Sequence, residues 1–451
     1  MPDYKNLATE LVAAFRKQGA DAADVYIVTS SGFNTTVRLG QIEKLQQNIS
    51  KGLGMRIFKN NATALTYTTD FTDKSVRDLV NQTMDIVKVS NPDEYNGLAP
   101  KELLGTHPGK LMIFDESLAR VTPEKKIEMA KEAEAAGREF DKRITNSQGA
   151  SFSDSTSEAT LANSDGFVGQ YRGTSSNLSV NLLAEENGVK QTDFWFTFNR
   201  YFNKLASPKS VGQKAAERAV KKLGARKVKS QKAPVVIDPY VSRQLVGLVF
   251  GAASGGSIYR KSSFLIDKVG AEIASPLVTI LDDATKSDGP SSRPFDAEGV
   301  KSQPVTLVEK GVLKTYLCDS YSARRLKLKP TGSTARSYQS LPFVNSTNSY
   351  IMAGSSSPEE IIKSVKNGLY LTGLLGFGQG NNNVTGDFSL GAIGFWIENG
   401  ELTYPVQEIT LAGNMMSVLK NISMVGNDLD FKFGGLASPT LLISEMTIGG
   451  A

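Results

Sequence analysis

Histidine and cysteine are almost missing from this chain: its 451 residues contain one of each, His107 and Cys318. Zinc sites built on histidine and cysteine need several such side chains together, and a Cys-His nucleophile pair would have to join Cys318, which has no neighbouring histidine, to His107, so no self-contained site of either kind is expected here. A Ser-His-Asp triad would rest on His107 alone. That residue sits in Gly105-Thr-His-Pro-Gly109, a Gly/Pro-bounded linker, and reads as a surface histidine lacking the orienting partner a general base requires. A single cysteine excludes an internal disulfide and agrees with a reducing, cytoplasmic setting. Long apolar runs are missing too. The best candidate, Leu245–Ala253, is broken by Gly247 and Gly251 and falls short of the roughly 18–20 residues that a membrane-spanning helix needs. The start, Met1-Pro-Asp-Tyr-Lys-Asn6, is polar and does not read as a signal peptide.

What is present is the composition of a folded, soluble protein, 40% apolar and 22% charged, in a chain long enough for two or three domains. The net charge of +5 is unevenly spread, with ten Lys/Arg against one acid, Glu217, between Lys204 and Lys232. This stretch is either the solvated face of an amphipathic helix or a nucleic-acid patch. The absence of interleaved aromatics favours the first.

Apolar spacing predicts a helix over Tyr4–Gln18, closed by Gly19, and another over Asp73–Val89 with Val76, Leu79, Val80, Met84, Ile86 and Val87 turned inward. Between them, Ala23–Thr29, Thr35–Leu39, Ile42–Ser50, Lys51–Phe58 and Thr63–Thr69 read as strands. Thr122-Pro123 and Ser207-Pro208 are helix starts, because the hydroxyl accepts orphan amide hydrogens and proline costs nothing at the first helical position. Strands fill Ile144 to Phe202 between these helices. After Lys232-Ala-Pro234 the chain turns to short β segments, including a hairpin signal at Asn399-Gly400 between Gly394–Glu398 and Glu401–Val406. The expected fold is α+β: helix-flanked antiparallel sheets, then a mainly antiparallel β domain of barrel or sandwich type. The domains are 1–115, 116–230 packed with the first, and 231–451.

Local motifs carry little chemistry alone. Cys318 lies in a strand-like run, Lys314–Asp319, and reads as a packed small hydrophobe. The run Gly376–Asn383 lacks a following helix and so reads as a loop between strands instead of a phosphate cradle. Asp282-Asp283 and Glu185-Glu186 are adjacent on strands, where neighbours point to opposite faces, so neither makes an acid/base dyad. Tyr259-Arg-Lys-Ser-Ser263 joins an aromatic, two cations and two hydroxyls, which would suit peptide carbonyls or a carboxylate, or simply a solvated loop.

From residue 20 onward the sequence resembles the PmbA (TldE) branch of the TldD/PmbA family, "modulator of DNA gyrase" in its older description. The resemblance rests on runs in one order, among them Lys142–Asn146, Ala184–Gly188, Gly255–Leu265, Pro294–Gly299, Tyr321–Arg324, Thr385–Ser389, Gly394–Gly400 and Glu408–Asn414. It implies a cytoplasmic metalloprotease system trimming unfolded peptides, including microcin precursors and antitoxins. Zinc would be held by a His-Glu-x-x-x-His helix and a late Cys of a TldD-type partner. The comparable region here, Tyr240–Gly256, contains neither His nor acid, and Cys318 lies far from the C-terminus.

The chain is therefore expected to be a PmbA/TldE-type subunit without catalytic, metal or cofactor residues of its own. Expected partners are a TldD-type zinc subunit and unfolded peptide, with a homodimer also admitted and no membrane or nucleic acid. Tyr259, Arg260, Lys261, Asp387 and Phe388 are the residues expected to line a peptide chamber. The alternative is a regulatory binding protein that contacts gyrase or nucleic acid through the basic helix.

Overall fold

The computed structural model describes residues 3–376 and 378–450. Helix α1 (Tyr4–Lys17) begins where Asp3 accepts the amide hydrogens of Lys5 and Asn6, and it buries Leu11, Val12 and Phe15. Two very long strands follow, β1 (Ala22–Arg38) and β2 (Gln41–Lys59), then β3 (Ala62–Thr68) and α2 (Asp73–Val89). The four short segments expected over Ala23–Phe58 are thus two continuous strands. The polar stretches that suggested breaks, such as Ser30-Ser31-Gly32, pair in register with β2 and with a later strand over Ile144–Asn163. Helix α2 keeps its expected bounds and buries Val76, Val80, Met84 and Val87, but Ile86 is 44% exposed and points away from the sheet.

Helix α3 (Pro123–Arg138) starts at the Thr122 cap, and β4 (Ile144–Asn163), β5 (Val168–Glu186) and β6 (Val189–Asn199) lead to α4 (Pro208–Lys221), capped by Ser207. Strands from both sides of α3 form one antiparallel sheet in the order β3-β2-β1-β4-β5-β6. One face packs on helices: Phe33, Val37, Phe152, Leu178, Val180 and Leu182 meet Met129 and Ala130 of α3 and Val211 and Ala215 of α4. The opposite face follows from the two-residue period of strands. Its paired positions, such as Asn34, Ser153 and Asn177, are polar and only partly covered.

The remainder opens with β7 (Gln231–Ile237), α5 (Pro239–Ala252) and α6 (Gly255–Tyr259). Next come β8 (Ile280–Asp283), β9 (Pro304–Glu309), β10 (Val312–Leu313), α7 (Ser320–Leu326), β11 (Thr334–Ala335), β12 (Phe343–Val344) and β13 (Ser349–Ile351). Helix α8 (Pro358–Lys363) precedes β14 (Asn367–Leu375), β15 (Asp387–Glu398), β16 (Glu401–Asn414), α9 (Met415–Lys420), β17 (Ile422–Val425), β18 (Leu436–Ala437) and β19 (Leu441–Gly449).

Strands β16-β15-β14-β7-β19 close into a barrel because β19 pairs with β7 on one side and β16 on the other. Closure leaves no free edge among these five strands. The Asn399-Gly400 turn joins β15 and β16 with φ of +51° and +80°, the left-handed values a two-residue hairpin turn demands. Helix α5, started by Asp238 and Pro239, lays Val241, Leu245, Val246 and Val249 into the barrel's core with Ile237, Leu371 and Ile443. A smaller sheet, β10-β9-β8-β13-β18, packs beside it. Cys318 is not in a strand. It lies buried in the turn leading into α7, where burial pushes its thiol up to about 12.

Candidate functional site

The sheet and the barrel-bearing part meet around a cavity of about 670 Å³. The sheet side contributes Arg56 and Phe58 of β2 and the segment Asn91–Gly97 that follows α2; the other side contributes Tyr259, Arg260, Glu298, Asp319, Tyr321, Arg324 and residues 341–344. Arg324 fastens the two sides. Its guanidinium donates to the carbonyls of Tyr95 (2.6 Å), Leu98 (2.9 Å) and Gly97 (2.9 Å). Tyr321 donates its hydroxyl to Asp93 at 2.7 Å. A second tie runs where β2 passes under residue 338: a Cβ at Gly54 would come within 2.2 Å of the Tyr338 carbonyl, so only glycine admits this approach.

Charged groups lie beneath the cavity. Arg56 donates to Asp24 (Nε, 2.9 Å) and stands 3.7 Å from Glu298, while Arg336 donates to the other Asp24 oxygen at 2.7 Å. All four are buried. Burial alone would raise the Asp24 carboxyl, but Arg336 and Arg56 outweigh it and hold the group below its ordinary range. Glu298 goes the other way. Burial pushes its carboxyl up against the pull of Arg56, and the neighbouring Asp296 and Asp319 add to the rise. Its Oε2 accepts from the Ser320 amide at 2.8 Å.

An aromatic and cationic cluster adjoins the lining residues Tyr259, Arg260 and Tyr321. Arg325 stands 4.8 Å from the Tyr95 ring centre, 5.1 Å from Tyr259 and 5.6 Å from Tyr321, and Arg260 lies 5.2 Å from Tyr259. Such an assembly can cradle an extended peptide, with ring faces for apolar side chains and an exposed guanidinium for a carboxylate or carbonyl.

Of the residues singled out from sequence, Tyr259 and Arg260 line this cavity. Lys261 is exposed in a left-handed conformation (φ +57°) and is not among the lining residues. Asp387 is exposed at the start of β15, accepting from Asn414 at 2.9 Å, and Phe388 packs against a narrow apolar slit beside α5. Sequence reasoning missed the lining residues Arg56, Asp93, Glu298 and Asp319, and Arg325 beside Tyr259 and Tyr321. The runs Pro294–Gly299 and Tyr321–Arg324 were noted only for their resemblance and supply Glu298, Tyr321 and Arg324 to the site.

Helix α5 occupies the place where a zinc helix would be sought. Its core-facing side chains are Val241, Leu245, Val246 and Val249, and Leu248 borders the slit with Leu374 and Phe388. Its other side chains include Tyr240, Arg243 and Gln244, and no residue from Pro239 to Ala252 is a His, Cys, Asp or Glu that could ligate zinc or deprotonate its water, so the residues of this helix do not fit the metal. Among the described residues no three His, Cys, Asp or Glu group closely enough to hold a metal ion. Seven of the ten cations of the basic stretch stand in ion pairs with five carboxylates: Lys204 with Asp288, Lys214 and Lys221 with Glu217, Arg218 and Lys222 with Asp193, Lys227 with Glu408, and Lys232 with Glu445.

The architecture is that of a two-part α+β protein with its cavity at the seam. Models of the PmbA/TldA metallopeptidases match it in sequence, domain 1 over residues 23–87, the central domain over 116–223 and the C-terminal domain over 230–450. The chain belongs to the TldD/PmbA metallopeptidase family, on its PmbA branch. It is 36% identical over 432 residues to the metalloprotease PmbA of Escherichia coli O157:H7, covering 96% of this chain and 93% of that one. A metalloprotease TldD homolog of Haemophilus influenzae is 30% identical over 455 residues, covering 95% and 93%. The crystal structure of a proposed modulator of DNA gyrase from Bacteroides thetaiotaomicron superposes with a TM-score of 0.92 at 30% identity, over 100% of both chains.

Proposed function

We propose that this chain is the PmbA/TldE-type, catalytically silent subunit of a two-subunit cytoplasmic metallopeptidase. Zinc and bond cleavage belong to a TldD-type partner. The seam cavity holds unfolded peptide for that partner, with microcin precursors and antitoxins as the expected substrate class. The observation that carries this reading is helix α5, which offers no His, Cys, Asp or Glu along Pro239–Ala252 where a metallopeptidase of this family needs ligands and a base. TldD-type relatives that align over nearly the whole chain support a TldD-type partner. Within the cavity, Tyr259 and Tyr321 offer ring faces to apolar side chains and Arg260 offers a charge-assisted donor.

The test is cleavage of an unfolded peptide by the purified chain alone, by a TldD-type subunit alone and by the two mixed. The reading expects zinc-dependent cleavage in the mixture and none from this chain alone. Replacing Tyr259 and Arg260 by alanine is expected to weaken peptide use by the mixture several-fold. Chelator-sensitive cleavage by this chain alone would overturn the silent-subunit reading.

A further inference from the structure

A second cavity, of about 520 Å³, lies between helix α4 and the outer face of the barrel, and it shares no lining residue with the seam cavity. Its floor follows from strand alternation. In β14 the side chains of Leu369 and Leu371 fill the barrel core, so Tyr370 and Thr372 face outward. Tyr370 pairs with Phe395 of β15, which pairs in turn with Pro405 of β16, and the three form a row across the outer face beside Leu402. Helix α8 covers the neighbouring part of this face, where Ile361 and Val365 pack on Val236 and Ile397. Over Phe395, Leu402 and Pro405 stands α4 instead, whose apolar side, Val211, Ala215, Ala216 and Ala219, is already packed on the sheet.

The roof is charged. Lys214, Glu217, Arg218, Lys221 and Lys222 recur at three- and four-residue spacing and so share one side of α4. They fall into two groups. Glu217 accepts from Lys214 at 2.9 Å and from Lys221 at 2.5 Å, while Asp193 of β6 stands 3.2 Å from Arg218 and 3.0 Å from Lys222. Two cations for each carboxylate leave each group one positive charge in excess. The third lining carboxylate, Asp238, is engaged elsewhere: it caps α5 through the Tyr240 amide at 2.8 Å and accepts from the Tyr370 hydroxyl at 3.1 Å. Arg218 lies 5.1 Å from the ring centre of Trp195, and its buried Nε is not aligned to donate to any partner. Trp195 lines the cavity as well, with Phe433 perpendicular to it at 5.6 Å.

An apolar, partly aromatic floor under an excess of cations matches a molecule with an apolar body and one anionic end. We propose that this cavity binds a small amphipathic acid, an aromatic or branched apolar body carrying one carboxylate, sulfonate or phosphate group. Its body rests on Trp195, Phe395, Leu402 and Pro405, and its anionic group meets Arg218, Lys214 and Lys221. Such a ligand bridges α4 and the barrel, so its binding stabilises the folded chain. The inference needs neither zinc nor a partner subunit and stands apart from the peptidase reading.

The experiment is calorimetric titration of the full chain with three probes. A naphthalene sulfonate has both ring and negative charge, a naphthyl methylamine has the same ring with positive charge, and inorganic sulfate has the charge without the ring. The sulfonate is expected to bind at one site per chain and to raise the thermal midpoint. The other two are expected to bind about tenfold more weakly or worse, the equivalent of one charge-assisted hydrogen bond or more. The double variant Lys214→Gln, Lys221→Gln, at largely exposed side chains, is expected to weaken sulfonate binding about tenfold while the unliganded chain keeps its thermal midpoint. The double variant Lys214→Arg, Lys221→Arg is expected to retain binding. Leu402→Glu, at a position 44% exposed, places a negative charge beside the floor and is expected to abolish it. Equal binding of the sulfonate and the amine, binding indifferent to the glutamine pair and to Leu402→Glu, or no sulfonate binding at millimolar concentration would each overturn the proposal.

Discussion

Tyr321 reaches across the molecule to Asp93, donating its hydroxyl at 2.7 Å to a carboxylate 228 positions earlier in the chain. The bond joins the α7 wall of the cavity to the segment after α2. A single net hydrogen bond contributes about 0.5–1.5 kcal/mol, so Tyr321→Phe is expected to cost about 1 kcal/mol in denaturant unfolding. Peptide binding by the assembled pair should weaken with it, because the wall becomes free to move.

Arg324 spans the same gap more firmly, with three carbonyls of one segment as its acceptors. Arg324→Ala leaves partly buried carbonyls without donors and is expected to cost about 2–4 kcal/mol, since hydrogen bonds to charged groups contribute roughly 1.5–3 kcal/mol each and overlap in effect. Lysine cannot reproduce a planar fork. Arg324→Lys should therefore recover less than half of the loss in the same unfolding measurement.

Asp24 lies between Arg56 and Arg336 with almost no solvent exposure. Asp24→Asn leaves two buried guanidiniums with reduced compensation and is expected to cost about 3–5 kcal/mol. Replacing Asp24, Arg56 and Arg336 together by apolar residues should cost much less than that single change. Unfolding free energies of the two variants check this.

Glu298 gives a pH signature. Its carboxyl is raised by burial, so between the ordinary glutamate value and the raised one the folded state binds more protons than the unfolded state. Stability contributed by the protonated form is then complete below the ordinary value and is lost as pH rises through the raised one. Glu298→Gln is expected to flatten this fall in thermal midpoint on going from mildly acidic to neutral pH. Asp24, held below its ordinary range, acts in the opposite sense: its contribution is present at neutral pH and disappears only in strong acid.

Local elements were legible where chemistry acts over a few residues. Asn399-Gly400 dictated its hairpin, and the Thr122-Pro123 and Ser207-Pro208 caps marked α3 and α4. Strands β1 and β2 read as fragments because serines on an open sheet face look like turn residues when the pairing strand β4 is unknown. The barrel's closure depends on β19 meeting β16, a long-range pairing that periodicity along one segment does not encode. The cavity was half legible. Tyr259 and Arg260 stood out as a local cluster, whereas Asp93, Glu298 and Arg325 acquire meaning only when distant segments come together.

The most direct test of the account is zinc content and peptide cleavage measured on each subunit separately after copurification from the native cell. The account predicts that zinc and chelator-sensitive activity follow the TldD-type subunit, while this chain carries no stoichiometric zinc and cleaves nothing alone. Tightly bound stoichiometric zinc in this chain, with cleavage in the partner's absence, would contradict it.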